Sequence, residues 1–172
     1  MEDYYNADSD KELISASIPA TEHSVACAGG KDREVETFRR MVNIYKDTTK
    51  IFSFVCDTWD YWHFINTTMR NEKDFLVDSG CKCVLRPDSS KKTPYEIICG
   101  DSEADVNSPE FKGSLEILWD IFGGSVNAKG FRVLSPSVGL IYGEAISPEL
   151  YEKICQKMVE MKFCISNLAV GC

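Results

Sequence analysis

The segment Ile51-Phe52-Ser53-Phe54-Val55-Cys56-Asp57-Thr58-Trp59-Asp60 decides the fold class. Its first six residues form a continuous apolar run, which predicts a strand covered on both faces. Its last four place two carboxylates just beyond the strand end. The same arrangement recurs further along. Residues 81–85 read as a second buried strand followed by Arg86-Pro87-Asp88-Ser89, and residues 138–142 as a third followed by Gly143-Glu144. Residues 163–170 read as a fourth, ending at Gly171. Between them lie helical patterns. Val35, Phe38, Met41, Val42 and Tyr45 fall at helical spacing over 32–45, and further helices are predicted over 59–69 and 111–122, the latter stopped by Gly123-Gly124. Ser147-Pro148-Glu149 opens a last one with an N-cap serine and a proline at the first helical position. A short β-like run over 15–20 is broken at Pro19. Residues 91–109, rich in Pro, Gly, Ser and Asp, read as a long loop insertion containing a short strand at 95–99.

Strand and helix alternating at this spacing predict βαβ units in an α/β fold, with a parallel sheet that is either a barrel or doubly wound. In such folds the carboxyl ends of the strands carry the site, so the polar clusters point to one shared rim. The bulk properties fit a single folded domain. The 172 residues are 44% hydrophobic and 27% charged, enough to bury a core and too apolar for a disordered chain. A formal charge of -8 argues against nucleic acid as a partner, because phosphate-backbone binders carry a basic patch. A small phosphorylated substrate is not excluded, since it needs only one or two cations and backbone N–H groups. No apolar run approaches the ~18 residues of a membrane span, and the acidic start Met1-Glu2-Asp3 lacks the apolar core of a signal peptide. The eight cysteines are scattered without a matched pair of CxxC motifs, which reads as reduced thiols in a cytoplasmic protein and predicts no structural metal.

Each polar cluster has two readings when taken alone. In Thr21-Glu22-His23-Ser24, the histidine beside a carboxylate and hydroxyls suits acid, base or nucleophile, or else Glu22 and Ser24 merely cap the adjoining segment. Asp57 and Asp60 can orient a histidine, hold Mg²⁺ through water or bind sugar hydroxyls, whereas Asp57 or Thr58 can also serve as an N-cap. Arg86 with Asp88 suits a phosphate or amide oxygen and a ribose diol, or closes a turn as an internal ion pair. Gly143-Glu144 lets the backbone approach a ligand while a carboxylate takes hydroxyls. The aromatics around His63 read as core.

In order, the run Ser17-Ile18-Pro19-Ala20-Thr21-Glu22-His23-Ser24, then Gly30-Lys31-Asp32, Asp57-Thr58-Trp59-Asp60, Arg86-Pro87-Asp88-Ser89 and Gly143-Glu144 resembles nicotinamide phosphoribosyltransferases of bacterial or phage type. The closing Ser166-Asn167-Leu168-Ala169-Val170-Gly171 is similar to the strand that leads into that family's glycine-rich phosphate loop. The resemblance implies a parallel-stranded part of an irregular α/β barrel of the type II phosphoribosyltransferase kind. It implies transfer of phosphoribosyl from 5-phosphoribosyl 1-pyrophosphate to nicotinamide, giving nicotinamide mononucleotide and pyrophosphate in NAD salvage. His23, Asp57 and Asp88 become the expected catalytic residues: His23 accepts a phosphoryl group from ATP, Asp57 stands beside it, and Asp88 lies near the ribose. Arg86, Ser89, Gly143, Glu144 and Gly171 become expected substrate contacts, with Mg²⁺ carried on the pyrophosphate and a homodimer as the working form.

Departures from the family pattern are expected at Glu144, where the family has Asp, and at Ser90, where it has Gly. The chain is expected to be an incomplete catalytic-domain segment spanning 1–172, lacking the aromatic that stacks on nicotinamide at one end and the phosphate-binding glycines at the other. Two alternatives arise from the same resemblance: a catalytically incompetent truncated homologue that binds a full-length partner, and an enzyme that takes nicotinate as its base.

Overall fold

The structure, a computed structural model, describes residues 8, 10–11, 17–88, 92–143 and 146–170. Four strands, β1 (Ile51–Val55), β2 (Lys82–Arg86), β5 (Val138–Tyr142) and β6 (Leu168–Val170), form an all-parallel sheet in the order β1-β2-β5-β6. Phe54, Leu85, Leu140 and Leu168 lie side by side across it. The α/β class with a parallel sheet is therefore as expected, and the described strands make an open row in which β1 and β6 do not pair. Residues 19–21 run along the outer edge of β1: Ser53 N–H donates to Pro19 O and Thr21 N–H to Ser53 O, with Ala20 bridging Ser53 in parallel. The β-like run expected over 15–20 survives only at that end, its residues 15–16 lying outside the described residues.

Helices pack against the sheet. They are α1 (His23–Cys27), α2 (Glu34–Tyr45), α3 (Tyr61–His63), α4 (Met69–Asn71), α5 (Lys73–Asp78), α6 (Pro94–Cys99), α7 (Pro109–Phe122) and α8 (Pro148–Glu160), with a π-helical stretch, Phe64–Thr68, between α3 and α4. Under β1, Phe38 meets Phe54 and Phe64 edge-on at 5.6 and 5.9 Å, and Phe54 stacks on Phe64 at 5.4 Å. All three rings are fully buried, each contributing roughly 2–3 kcal/mol of apolar transfer. This cluster fixes the strand whose end carries Asp57.

Several expectations require correction. Residues 95–99 form α6, not a strand. Thr93 Oγ accepts from Glu96 N–H while Glu96 reaches back to Thr93 N–H, and Pro94 occupies the first helical position, so the capping box overrides the β-like Ile97-Ile98-Cys99. The helix expected over 59–69 starts two residues later, with Asp60 rather than Asp57 or Thr58 as its N-cap, and the helical path continues through α5. The last strand is confined to Leu168–Val170, because a 3₁₀ turn at Ile165–Asn167 occupies the first half of the predicted run. A small antiparallel hairpin, β3 (Gly124–Val126) with β4 (Arg132–Leu134), follows α7. Inside α7, Gly113 has φ +72 and lies against Gly100 at the end of α6. A Cβ on Gly113 would come within 2.3 Å of Gly100 N, so only glycine permits that approach.

Candidate active site

The carboxyl ends of β1 and β2 and the edge segment 19–21 converge. Thr21 fixes that segment twice: its hydroxyl accepts Val55 N–H at 2.9 Å, and its carbonyl accepts from Arg86 at 3.1 Å. This delivers His23, the first residue of α1, over the end of β1. His23 Nε2 lies 3.1 Å from Asp57 Oδ1, and Nδ1 lies 3.9 Å from Asp88 Oδ2. The second oxygen of Asp57 accepts Asp88 N–H at 3.0 Å. One carboxylate, only 4% exposed, thus ties the histidine to the backbone of the β2 end, while the His23 ring is 38% exposed and open to a ligand.

Arg86 crosses the same space. Its guanidinium lies 3.2 Å from Glu22 Oε2 and 3.7 Å from Asp88 Oδ2, and its buried Nε has no partner among the described residues. A guanidinium with an unused buried donor is costly unless something accepts from it. Gly143 follows β5, and a Cβ there would meet no atom of the described residues within 4 Å. His23, Asp57, Arg86 and Asp88 are therefore brought together as expected. Ser89, Glu144 and Gly171 lie outside the described residues. The partners of Arg86 in 21–22 are not apparent from the sequence; that they belong to the same short motif as His23 is the only signal that points there.

Glu34, at the start of α2, is not apparent from the sequence either. It is 8% exposed, and burial first, then the nearby Asp60 charge, push its carboxyl up to about 7, with Lys31 acting in the opposite direction. Immediately after β1, burial holds the Cys56 thiol well above its ordinary range, with the Asp57 charge adding to this. The seven described cysteines are all free thiols. No group of three or more His, Cys, Asp or Glu among the described residues is placed to hold a metal ion, so these residues build no protein-only metal cage. No described helix is long and apolar enough to cross a membrane.

The family model for the nicotinate phosphoribosyltransferase (NAPRTase) family matches residues 4–172. The chain belongs to this family. It is similar to proteins named nicotinamide phosphoribosyltransferase in several bacteria. With that of Acinetobacter baylyi it shares 41% identity over 99% of this chain and 34% of the relative. With that of Mycoplasma pneumoniae the identity is 34% over 92% of this chain and 34% of the relative. For Xanthomonas campestris pv. campestris it is 31% over 90% of this chain and 30% of the relative. The chain spans about a third of the length of these family members.

Proposed function

We propose that this chain supplies the histidine–aspartate–arginine part of a nicotinamide phosphoribosyltransferase active site in NAD salvage. The reaction moves phosphoribosyl from 5-phosphoribosyl 1-pyrophosphate to nicotinamide, releasing pyrophosphate and nicotinamide mononucleotide. The observation that carries this reading is the Asp57 carboxylate joined at once to the His23 ring and the Asp88 amide, beside an incompletely paired Arg86. The family match and the names of the relatives support the choice of reaction and of the amide as base.

The proposed chemistry runs as follows. A proton on the His23 nitrogen facing Asp57 is donated to that carboxylate, which leaves the lone pair on Nδ1 free. That nitrogen attacks the terminal phosphorus of ATP; the P–O bond to the leaving ADP breaks and a phosphohistidine forms. The phosphorylated ring would then lie towards the pyrophosphate end of the second substrate, where a bound Mg²⁺ would offset the like charges of the two groups. In the transfer itself the pyridine nitrogen of nicotinamide attacks ribose C1 as the C1–O bond breaks, with the electron pair leaving on pyrophosphate. Positive charge builds on the ribose, and on this reading Asp88, 20% exposed, takes up that charge and the ribose hydroxyls. Arg86 offers its spare donor to the base amide or the phosphoribosyl group. Ser89, Gly143, Glu144 and Gly171 complete the substrate contacts. Mg²⁺ brought with the pyrophosphate would supply charge neutralisation. The working protein is a cytoplasmic homodimer.

The test is formation of nicotinamide mononucleotide from nicotinamide and 5-phosphoribosyl 1-pyrophosphate, with and without ATP, by the protein that carries this chain. Product that depends on His23, with ATP stimulation lost in His23→Ala, is expected. Absence of product with nicotinamide, or undiminished ATP coupling in His23→Ala, would contradict the proposal.

A further inference from the structure

A polar cavity lies away from the rim, at the end of the sheet where β2 and β5 begin. It holds about 400 Å³, and Lys82, Ser125, Ser135, Gly139, Ser166 and Asn167 are among the residues that line it. Lys82 opens β2, the strand that Arg86 closes. Its side chain is partly buried and lies across β5: a Cβ on Gly139 would come within 3.1 Å of Lys82 Cε and 3.6 Å of Nζ. Glycine at 139 thus leaves the ammonium room to rest on the sheet. No carboxylate lines the cavity among the described residues, and the Lys82 ammonium makes no ion pair or hydrogen bond with any of them. The neighbours divide by what they have left to give. Asn167 belongs to the fold, its Oδ1 accepting Leu134 N–H and its Nδ2 donating to Arg132 O, both at 2.9 Å. Ser166 donates to Cys164 Sγ at 3.0 Å. Ser135 Oγ accepts Ser137 N–H at 3.4 Å and so keeps its own proton to donate. The Ser125 hydroxyl has no partner among the described residues.

We infer that this cavity is an anion site: the Lys82 ammonium, with the Ser125 and Ser135 hydroxyls, takes a small oxyanion of the phosphate class. An ammonium offers three donors on a compact charge. Drawn partly out of water without an acceptor, it costs free energy until an anion supplies one. The chain carries a formal charge of -8, so a cation that none of its carboxylates has claimed stands out against the rest of the molecule. Hydroxyl donors suit tetrahedral oxygens, which accept from several directions, and the missing carboxylate removes the main competitor for the charge. Such a site is separate from the reaction proposed at the rim and holds whether or not that reaction occurs.

The experiment measures how fast each lysine of the protein that carries this chain is acylated by an amine-reactive ester. The rates are read peptide by peptide by mass spectrometry, in rising inorganic phosphate at constant ionic strength. Expected is a saturable slowing at Lys82, roughly tenfold when phosphate stands at about ten times its dissociation constant, with exposed Lys50 unchanged. Pyrophosphate in the same titration separates a free phosphate from the end of a larger phosphate ligand, the better fit protecting at the lower concentration. Ser135→Ala should weaken the protection, and Arg86→Ala should leave it intact. In equilibrium dialysis, Lys82→Met should lose the phosphate that Lys82→Arg keeps. The labelling needs only the wild type, so it decides even where Lys82→Met fails to fold. Slowing that chloride matches, that does not saturate, or that extends equally to Lys50 would overturn the site. Phosphate binding undiminished in Lys82→Met would do the same, and loss of protection in Arg86→Ala would put the anion at the rim instead.

Discussion

Two arginines in this molecule face carboxylates in opposite ways. Arg132, on β4, is bound up in the fold. It forms a bidentate pair with Glu116, donates to Met161 O at 2.8 Å, and lies 3.8 Å over the Phe163 ring and 5.3 Å from Trp119. Arg86, at the rim, donates to Thr21 O at 3.1 Å, makes one long contact each with Glu22 and Asp88, and keeps a buried Nε without a partner among the described residues. Both sit at strand ends and both are mostly shielded. The difference is that Arg132 has spent its donors on the fold, joining α7, the hairpin and the turn after α8, whereas Arg86 holds one in reserve. An unused donor beside a half-open histidine is what the proposed function calls for. Donors turned to carboxylate and main-chain partners of the fold mark a staple.

The largest effect that sharpens the contrast is expected at Asp57. Asp57→Asn keeps the shape but loses the charge that orients His23, so turnover should fall on the order of 10³-fold while the unfolding free energy changes little. Next comes Arg132→Ala, which strands Glu116 and removes the ring contacts; denaturant unfolding should show a loss of about 3 to 4 kcal/mol. Wild-type stability in that variant would show that these contacts do not distinguish the two arginines.

Glu34 gives a smaller, pH-dependent effect. Its folded value of about 7 lies above the ordinary 4.5, so the folded protein binds that proton more tightly than the unfolded chain. Stability from this group is therefore full below about 4.5 and is lost as pH rises to about 7, by roughly 2 to 3 kcal/mol. Melting curves across that window should slope downward for the wild type relative to Glu34→Gln. The smallest effect is at Thr93: Thr93→Ala removes the capping box of α6 and should cost about 1 kcal/mol without altering the rim. An effect on the rim as large as that of Asp57→Asn would mean that α6 and the site are not independent.

Much of this was legible in the sequence. The parallel sheet followed from IFSFVC and its successors, because both-face burial removes the alternation that exposed strands show. His23, Asp57, Arg86 and Asp88 were legible because the strand-end rule and the motif order place them together. The helix at 94–99 was readable too, from Thr93-Pro94-Tyr95-Glu96, but the apolar Ile-Ile-Cys run has the composition of a strand and masks the cap. The β3–β4 hairpin was harder. Its strands are three residues each, β3 is exposed throughout, and the turn is signalled mainly by Asn127, whose side chain accepts from Lys129 and Phe131 N–H. The burial of Glu34 was not legible at all, since it arises from how α2 meets the loop after β1 and not from any local pattern.

The most direct test of the division between reserved and spent donors is a side-by-side measurement of nicotinamide mononucleotide formation and unfolding free energy in Arg86→Ala and Arg132→Ala. Arg86→Ala is expected to lose turnover by on the order of 10²-fold or more while its stability stays within about 1 kcal/mol of wild type. Arg132→Ala should lose stability and keep its turnover at a temperature where it remains folded. Parallel losses in both variants, or an Arg86→Ala protein that turns over normally, would contradict that division.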